Sequence, residues 1–225
     1  MQTIKANTPL PHADHAFGTR MGAFGSIEEN IRQLTERLGP IAHMRQVHGD
    51  KISYASGPGV YEETDAIFTD RPELWLGVTT ADCVPILISS PEAVAAVHAG
   101  WRGLQKELIR KTIQTLTDEF ELEPAQIFMH IGPCIRQMNY EVEATFTEYF
   151  DGRFFIPSKR PGHLMLDLAA VAREQARDEG IPTDNIHDTG LNTYAEHTRF
   201  FSYRASKEFG DPHNVQLNLV CRKRR

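Results

Sequence analysis

The sequence predicts an α+β fold, with mixed β-sheets and helices packed outside them. Residues 74–79, 84–89 and 93–97 are apolar runs with little polar alternation, the pattern of strands covered on both faces. Strand-length runs are interleaved with segments of helical period. In 104–120, Leu104, Leu108, Ile109, Leu116 and Phe120 form one apolar stripe opposite charge. The spacing between strand candidates is often hairpin-short, which opposes a doubly wound parallel sheet.

In chain order, a helix is expected over 26–38, where Ser26 and Glu29 make a capping box and Gly39-Pro40 stops the element. Strands over 51–55 and 65–69 are separated by the turn Gly57-Pro58-Gly59. The three apolar strands and the helix over 104–120 come next. A buried strand over 126–131 then ends in Gly132-Pro133-Cys134, whose glycine suits close approach of backbone to a ligand. A short helix is expected over 141–150. Asp167 caps a helix running to Asp178, with Gly180 and Pro182 beyond its end. Strands over 200–204 and 215–221 follow. In the last, Val215, Leu217, Leu219 and Cys221 alternate with polar residues, so one face is buried and Cys221 is a core residue.

At 225 residues the chain is long enough for one sizeable domain and short for two. No compositional break, repeat or low-complexity segment divides it, so residues 1–225 are expected to form a single domain. Hydrophobic content of 40% and charged content of 24% are those of an ordinary soluble protein. A net charge of −6 opposes recruitment by nucleic acid or anionic lipid. The basic tip Arg222-Lys223-Arg224-Arg225 reads as a solvated terminus. No run is long enough to span a bilayer or to serve as a signal peptide. The cysteines, Cys83, Cys134 and Cys221, include no CxxC, which fits reduced thiols in a cytoplasmic setting.

Three residues carry the chemistry: His48 in Arg45-Gln46-Val47-His48-Gly49, Cys83 in Ala81-Asp82-Cys83-Val84-Pro85, and His98 in His98-Ala99-Gly100-Trp101-Arg102-Gly103. Each sits where an apolar stretch meets a Gly- or Pro-punctuated turn. Two imidazoles and a thiolate match an open catalytic zinc site, with the fourth position left for water or substrate. The same residues also suit a Cys83 nucleophile with His98 or His48 as its base, and residue chemistry leaves both options open. Arg45 and Arg102 are candidates for holding a phosphate or carboxylate. Asp82, an acid between two apolar runs, is costly there unless paired, and is a candidate for substrate binding or proton handling. Trp101 and Phe200-Phe201-Ser202-Tyr203-Arg204 either wall a pocket or pack in the core. Cys134 is expected to be structural, and His12 and His15 have no ligand pattern around them.

These segments, with Thr64-Asp65-Ala66, Ile131-Gly132-Pro133, Tyr140-Glu141-Val142 and Phe201-Ser202-Tyr203-Arg204, resemble the YfiH family. That family has also been labelled laccase-domain protein and multicopper polyphenol oxidase. The ordered matches run from about residue 16 to about residue 206. The resemblance implies a single domain of four layers, α/β/β/α, with one zinc held by His48, Cys83 and His98. It implies purine nucleoside phosphorylase activity on adenosine, inosine, guanosine and methylthioadenosine. Inorganic phosphate is then co-substrate, and adenosine deaminase activity shares the site. For some bacterial members it implies instead an amidase that edits a peptidoglycan precursor.

The oxidase label ranks last, because a multicopper oxidase typically uses His-X-His pairs. This chain has ten histidines and no such pair. Copper outcompetes zinc at one Cys and two His, so copper in a preparation needs no oxidase activity. The chain departs from the family at Asn139 and Asn192, where cysteines are common, and at Asp211-Pro212-His213-Asn214, where a Gly-Arg is usual.

Overall fold

The computed structural model describes residues 3–4, 9–20 and 25–224. Its first elements are β1 (Thr3–Ile4), β2 (Ala13–Gly18), α1 (Ile27–Leu38), β3 (Ile41–Arg45), β4 (Ile52–Tyr54), β5 (Gly59–Glu62) and β6 (Ala66–Thr69). Next come β7 (Trp75–Thr80), β8 (Val84–Ser89), β9 (Val94–Ala99), α2 (Trp101–Gln105), α3 (Leu108–Phe120) and β10 (Phe128–Ile131). The remainder are β11 (Glu141–Glu143), β12 (Phe155–Pro157), β13 (His163–Leu166), α4 (Leu168–Asp178), β14 (Ile186–Asp188), α5 (Tyr203–Phe209) and β15 (Gln216–Arg222).

Two six-stranded sheets run β1-β2-β15-β7-β3-β5 and β14-β10-β8-β9-β6-β4, and a small third sheet runs β11-β13-β12. Both large sheets are mixed. In the first, β3 is parallel to β5 and β7, whereas β15 is antiparallel to β2 and β7. In the second, β10–β14 and β4–β6 are parallel around the antiparallel pair β8–β9.

Strand side chains alternate between faces, and that alternation sorts the core into layers. On β8, Val84, Ile86 and Ile88 join one apolar cluster while Leu87 joins another. On β9, Ala95, Val97 and Ala99 separate from Val94 and Ala96 in the same way. The first set lies under α2, α3 and α4, through Leu104, Ile109, Ile113 and Ala172. The second set meets Phe17, Met44, Leu76 and Val220 of the other sheet. On that sheet's far side, Ile27, Ile31 and Leu34 of α1 cover Ile41, Leu217 and Leu219. The result is the four-layer α/β/β/α order that the resemblance implied. Each buried Leu or Ile contributes about 1.5–3 kcal/mol, so the unalternating runs are the core of the fold. No helix among the described residues is long and apolar enough to cross a membrane.

Five expectations need correction. The helix over 104–120 is two, α2 and α3, because Glu107 turns left-handed at φ 61° between them. The helix over 141–150 is strand β11 followed by a 3₁₀ turn, because β13 offers residues 141–143 a ladder of backbone partners. The strand over 200–204 is a buried Phe200-Phe201 loop running into α5. Ser202 caps that helix by accepting from Ala205 N, and Gly210 at φ 72° ends it. Strand β15 is buried on both faces. Its polar Gln216 and Asn218 are satisfied internally, on Phe201 and on Gly18, Val78 and Thr80. The cap of α1 is half a capping box: Ser26 accepts from Glu29 N, while the Glu29 carboxylate holds Arg32.

Candidate active site

His98 stands near the end of β9, and Cys83 lies in the turn that opens β8. The register Pro85↔His98 and Val84↔Ala99 brings these two strand ends together. His48 arrives from the other sheet, on the loop after β3, in a left-handed conformation at φ 59°. The three side chains converge, with one ligand atom from each lying within 4.8 Å of the others. Cys83 Sγ is 3.7 Å from His48 Nε2, and the two imidazoles meet edge to face at 4.7 Å. Gly100 leaves room for them. A Cβ there would sit 3.0 Å from His48 Cδ2 and 3.1 Å from Cys83 Sγ.

One buried carboxylate organises the group. Asp65 Oδ1 accepts from His48 N at 3.0 Å and binds His98 Nδ1 at 2.8 Å. Its Oδ2 accepts from Val47 N at 3.2 Å and Gly49 N at 2.7 Å. Burial works to raise the Asp65 pKa, but the hydrogen bonds from His98 and Gly49 prevail and hold it below the usual range. With Nδ1–H committed to Asp65, His98 presents Nε2 to the centre. A carboxylate behind a ligating imidazole is the arrangement that fixes tautomer and ring direction at metal sites. Sequence reading missed this role for Asp65. Its signal was an acid opening the apolar run Ala66-Ile67-Phe68, a costly place without partners.

Burial alone would raise the Cys83 thiol, but the charge of His98 and hydrogen bonds from both histidines pull it below the ordinary thiol range. Burial would likewise lower His98, but Cys83 and Asp65 raise it. A soft thiolate with two imidazoles, one braced by an acid, fits a borderline cation such as zinc, or copper.

The trio opens onto a cavity of about 980 Å³. Ile27 and Ile31 of α1 wall one side, and Trp101, Tyr140, Tyr203 and Arg204 wall another. Arg45 lines it too, but its guanidinium is exposed and paired with Glu62 at 3.0 Å. Arg102 lies over the Trp101 ring at 4.3 Å, and Trp101 packs in turn against Phe146 and Tyr149. Asp82, at φ 88°, has both carboxylate oxygens engaged by protein donors. Thr193 Oγ1 donates to Oδ1 and Arg204 N to Oδ2, each at 2.7 Å. Gly132 admits protein rather than ligand, since a Cβ there would lie 2.4 Å from the Phe17 ring. Cys134 is buried and its thiol is pushed up to about 12 by burial, as a structural cysteine requires.

A family model described as multi-copper polyphenol oxidoreductase laccase matches residues 19–215. The chain belongs to this family. Among its curated relatives, a purine nucleoside phosphorylase of Xylella fastidiosa is 32% identical over 196 residues, covering 82% of this chain and 75% of that protein. One of Pseudomonas aeruginosa is 33% identical over 194 residues, covering 82% and 77%. YlmD from Geobacillus stearothermophilus shares the fold with a TM-score of 0.87 at 22% identity, covering 100% of this chain and 98% of that one. A protein of Neisseria meningitidis does so with a TM-score of 0.83 at 24% identity, covering 99% of each.

Within this laccase-domain family, two of the chain's departures turn out to be one contact. Asn192 Nδ2 donates to Asn139 Oδ1 at 2.7 Å, so these two positions face each other across the loops beside Tyr140. The third departure places His213 on the cavity wall, edge to face with Tyr203 at 5.4 Å. Asp211 there ties the segment to Arg20 and His197.

Proposed function

We propose that this chain is a zinc-dependent purine nucleoside phosphorylase, with His48, Cys83 and His98 as the metal ligands. The observation that carries the reading is a His-Cys-His centre braced by Asp65 and open to a cavity of about 980 Å³, room for a nucleoside and phosphate together. The names of the curated relatives support the same substrate class. His48, Cys83 and His98 would hold the zinc ion, which would supply Lewis acidity when bound.

Phosphate oxygen attacks C1′ of the ribose as the C1′–N9 bond breaks. The bond electrons leave with the purine, which takes up the proton that the attacking hydrogen phosphate gives up, and the products are free base and ribose 1-phosphate. Asp65 keeps the His98 Nδ1 proton in place, so that Nε2 remains an electron-pair donor. Adenosine, inosine, guanosine and methylthioadenosine all fit this scheme. Adenosine deamination in the same cavity adds water at C6 and releases ammonia.

The test is phosphate-dependent release of hypoxanthine from inosine by zinc-loaded protein. Cys83→Ala is expected to lose metal and to cut the rate by more than about 100-fold, the upper cost of disturbing even an outer partner of a ligand. Loaded protein that releases no base from any purine nucleoside sinks the reading. A second reading, an amidase with Cys83 as nucleophile, is favoured by the lowered thiol pKa. It requires amide cleavage indifferent to phosphate, and Cys83 alkylation that zinc does not block.

A further inference from the structure

Among the described residues, four arginines line the cavity. Arg32 is neutralised by Glu29 at 2.7 Å and Glu36 at 3.2 Å, and Arg45 by Glu62 at 3.0 Å. Arg102 and Arg204 have no carboxylate within ion-pair distance among the described residues. Both guanidiniums instead lie over aromatic rings, Arg102 over Trp101 at 4.3 Å and Arg204 over Tyr140 at 5.6 Å. A guanidinium stacked by its face keeps its N–H edge available for an oxyanion.

Arg204 is also held in position. Its backbone N–H donates to Asp82 Oδ2 at 2.7 Å, and one side-chain N–H donates to the Glu141 carbonyl at 3.1 Å. The other guanidinium N–H groups have no protein acceptor among the described residues. Asp82 precedes Cys83 in the chain and also binds Thr193, so it ties the segment bearing Arg204 to the turn bearing the thiol. Tyr140 stands between these groups. Its phenol is mostly buried, a state that raises its pKa, and the charges of Cys83, Arg204, Asp82 and Arg102 all act on it. Its hydroxyl has no protein hydrogen-bond partner among the described residues and lines the cavity as a donor.

We propose that Arg204 and Arg102 clamp the inorganic phosphate co-substrate beside the His48–Cys83–His98 centre. Tyr140 is a third donor to it, and Asp82 is the residue that positions Arg204. This rests on the phosphorolysis reading for the identity of the anion, and on the unpaired guanidiniums for its place. It moves the anion site away from Arg45, whose charge Glu62 already answers.

The test uses the zinc-loaded full chain and reads orthophosphate binding by calorimetry without nucleoside, then KM for phosphate and for inosine separately. Arg204→Met is expected to weaken orthophosphate binding by about 10–100-fold, the loss of one or two charge-assisted hydrogen bonds. The inosine KM should stay within twofold of wild type. Arg204→Lys should recover part of the loss, which covers the case of a poorly folding Met variant. Asp82→Asn should raise the phosphate KM and leave the inosine KM alone, a split that general destabilisation does not produce. Arg199→Ala, at a guanidinium paired with Glu196 and outside the cavity lining, should change neither.

Wild-type orthophosphate affinity in folded Arg204→Met overturns the clamp. So does the case in which adenosine 5′-monophosphate, and not orthophosphate, is the ligand that Arg204→Met loses. Binding is read without turnover, so the two readings can fail separately. Protein that binds orthophosphate through Arg204 yet cleaves no nucleoside removes the phosphorylase and keeps the clamp.

Discussion

The molecule holds two histidine clusters whose contacts look alike. His48 and His98 meet edge to face at 4.7 Å, and His130 meets His15 at 4.8 Å and His187 at 5.1 Å in the same manner. Their surroundings differ. Asp65 accepts a hydrogen bond from His98 Nδ1, and Cys83 faces the other edge of the ring. His130 sits in mid-strand on β10, wholly buried between the two sheets, and neither of its ring nitrogens has a hydrogen-bond partner among the described residues. The titrations move in opposite directions as a result. Cys83 and Asp65 raise His98 against its burial, whereas burial and then the charges of His15 and His187 push His130 down to about 3. Neighbouring imidazoles do not by themselves make a functional centre. An acid that fixes the tautomer, a thiolate and an opening to a cavity separate the first cluster from the second.

The sharpest way to break that contrast is Asp65→Asn. Both oxygens of Asp65 receive donors, so an amide turns an N–H against a donor in either orientation. Zinc affinity, measured by chelator competition, is expected to fall about 10–100-fold. Affinity within twofold of wild type would show that the acid is not what distinguishes the clusters.

The second cluster has its own signature in the pH dependence of stability. The His130 pKa is depressed below the unfolded value near 6.5, so the unfolded chain binds the proton first as pH falls. The stabilisation from keeping the ring neutral is fully present above about pH 6.5 and is lost progressively toward pH 3. Moving from pH 7 to pH 5 costs about 2 kcal/mol from this ring alone. His130→Leu should remove about that much from the difference in urea-unfolding free energy between the two pH values, and should leave zinc affinity unchanged. An identical acid slope in the variant argues against a neutral buried ring.

The smallest expected effect comes from Gly100→Ala. The backbone there, at φ −76° and ψ 169°, accepts alanine, so only space decides the outcome. A methyl 3.0–3.1 Å from His48 and Cys83 should shift both by a few tenths of an ångström. The expected cost in zinc affinity is about fivefold, near the low end for overpacking, with little change in melting temperature. No change in affinity would mean that the trio has more room than the distances imply.

Much of this is legible in the sequence. The unalternating runs at 84–89 and 93–97 became β8 and β9, buried throughout, because both faces of a central strand need apolar cover. His48, Cys83 and His98 stood out because each ends an apolar stretch at a turn. Residues 200–204 misled, since two phenylalanines and a tyrosine resemble a strand until the Ser202 cap is weighed. Asp82 reads as a candidate for substrate binding or proton handling, and only the approach of Thr193 and Arg204 in the fold shows both its oxygens engaged.

The sequence by itself determined the α+β class, most of the strands in the central layers and the identity of the three central ligand candidates. Those depend on periodicity, capping and turn chemistry, which act over a few residues. Tertiary structure decided that His48 crosses from one sheet to meet two residues of the other, and that Asp65 braces them. It also decided that Arg204 rather than Arg45 is left with an unanswered charge beside the cavity. Those depend on strand register and side-chain direction between segments up to 122 residues apart, which local sequence preference does not encode.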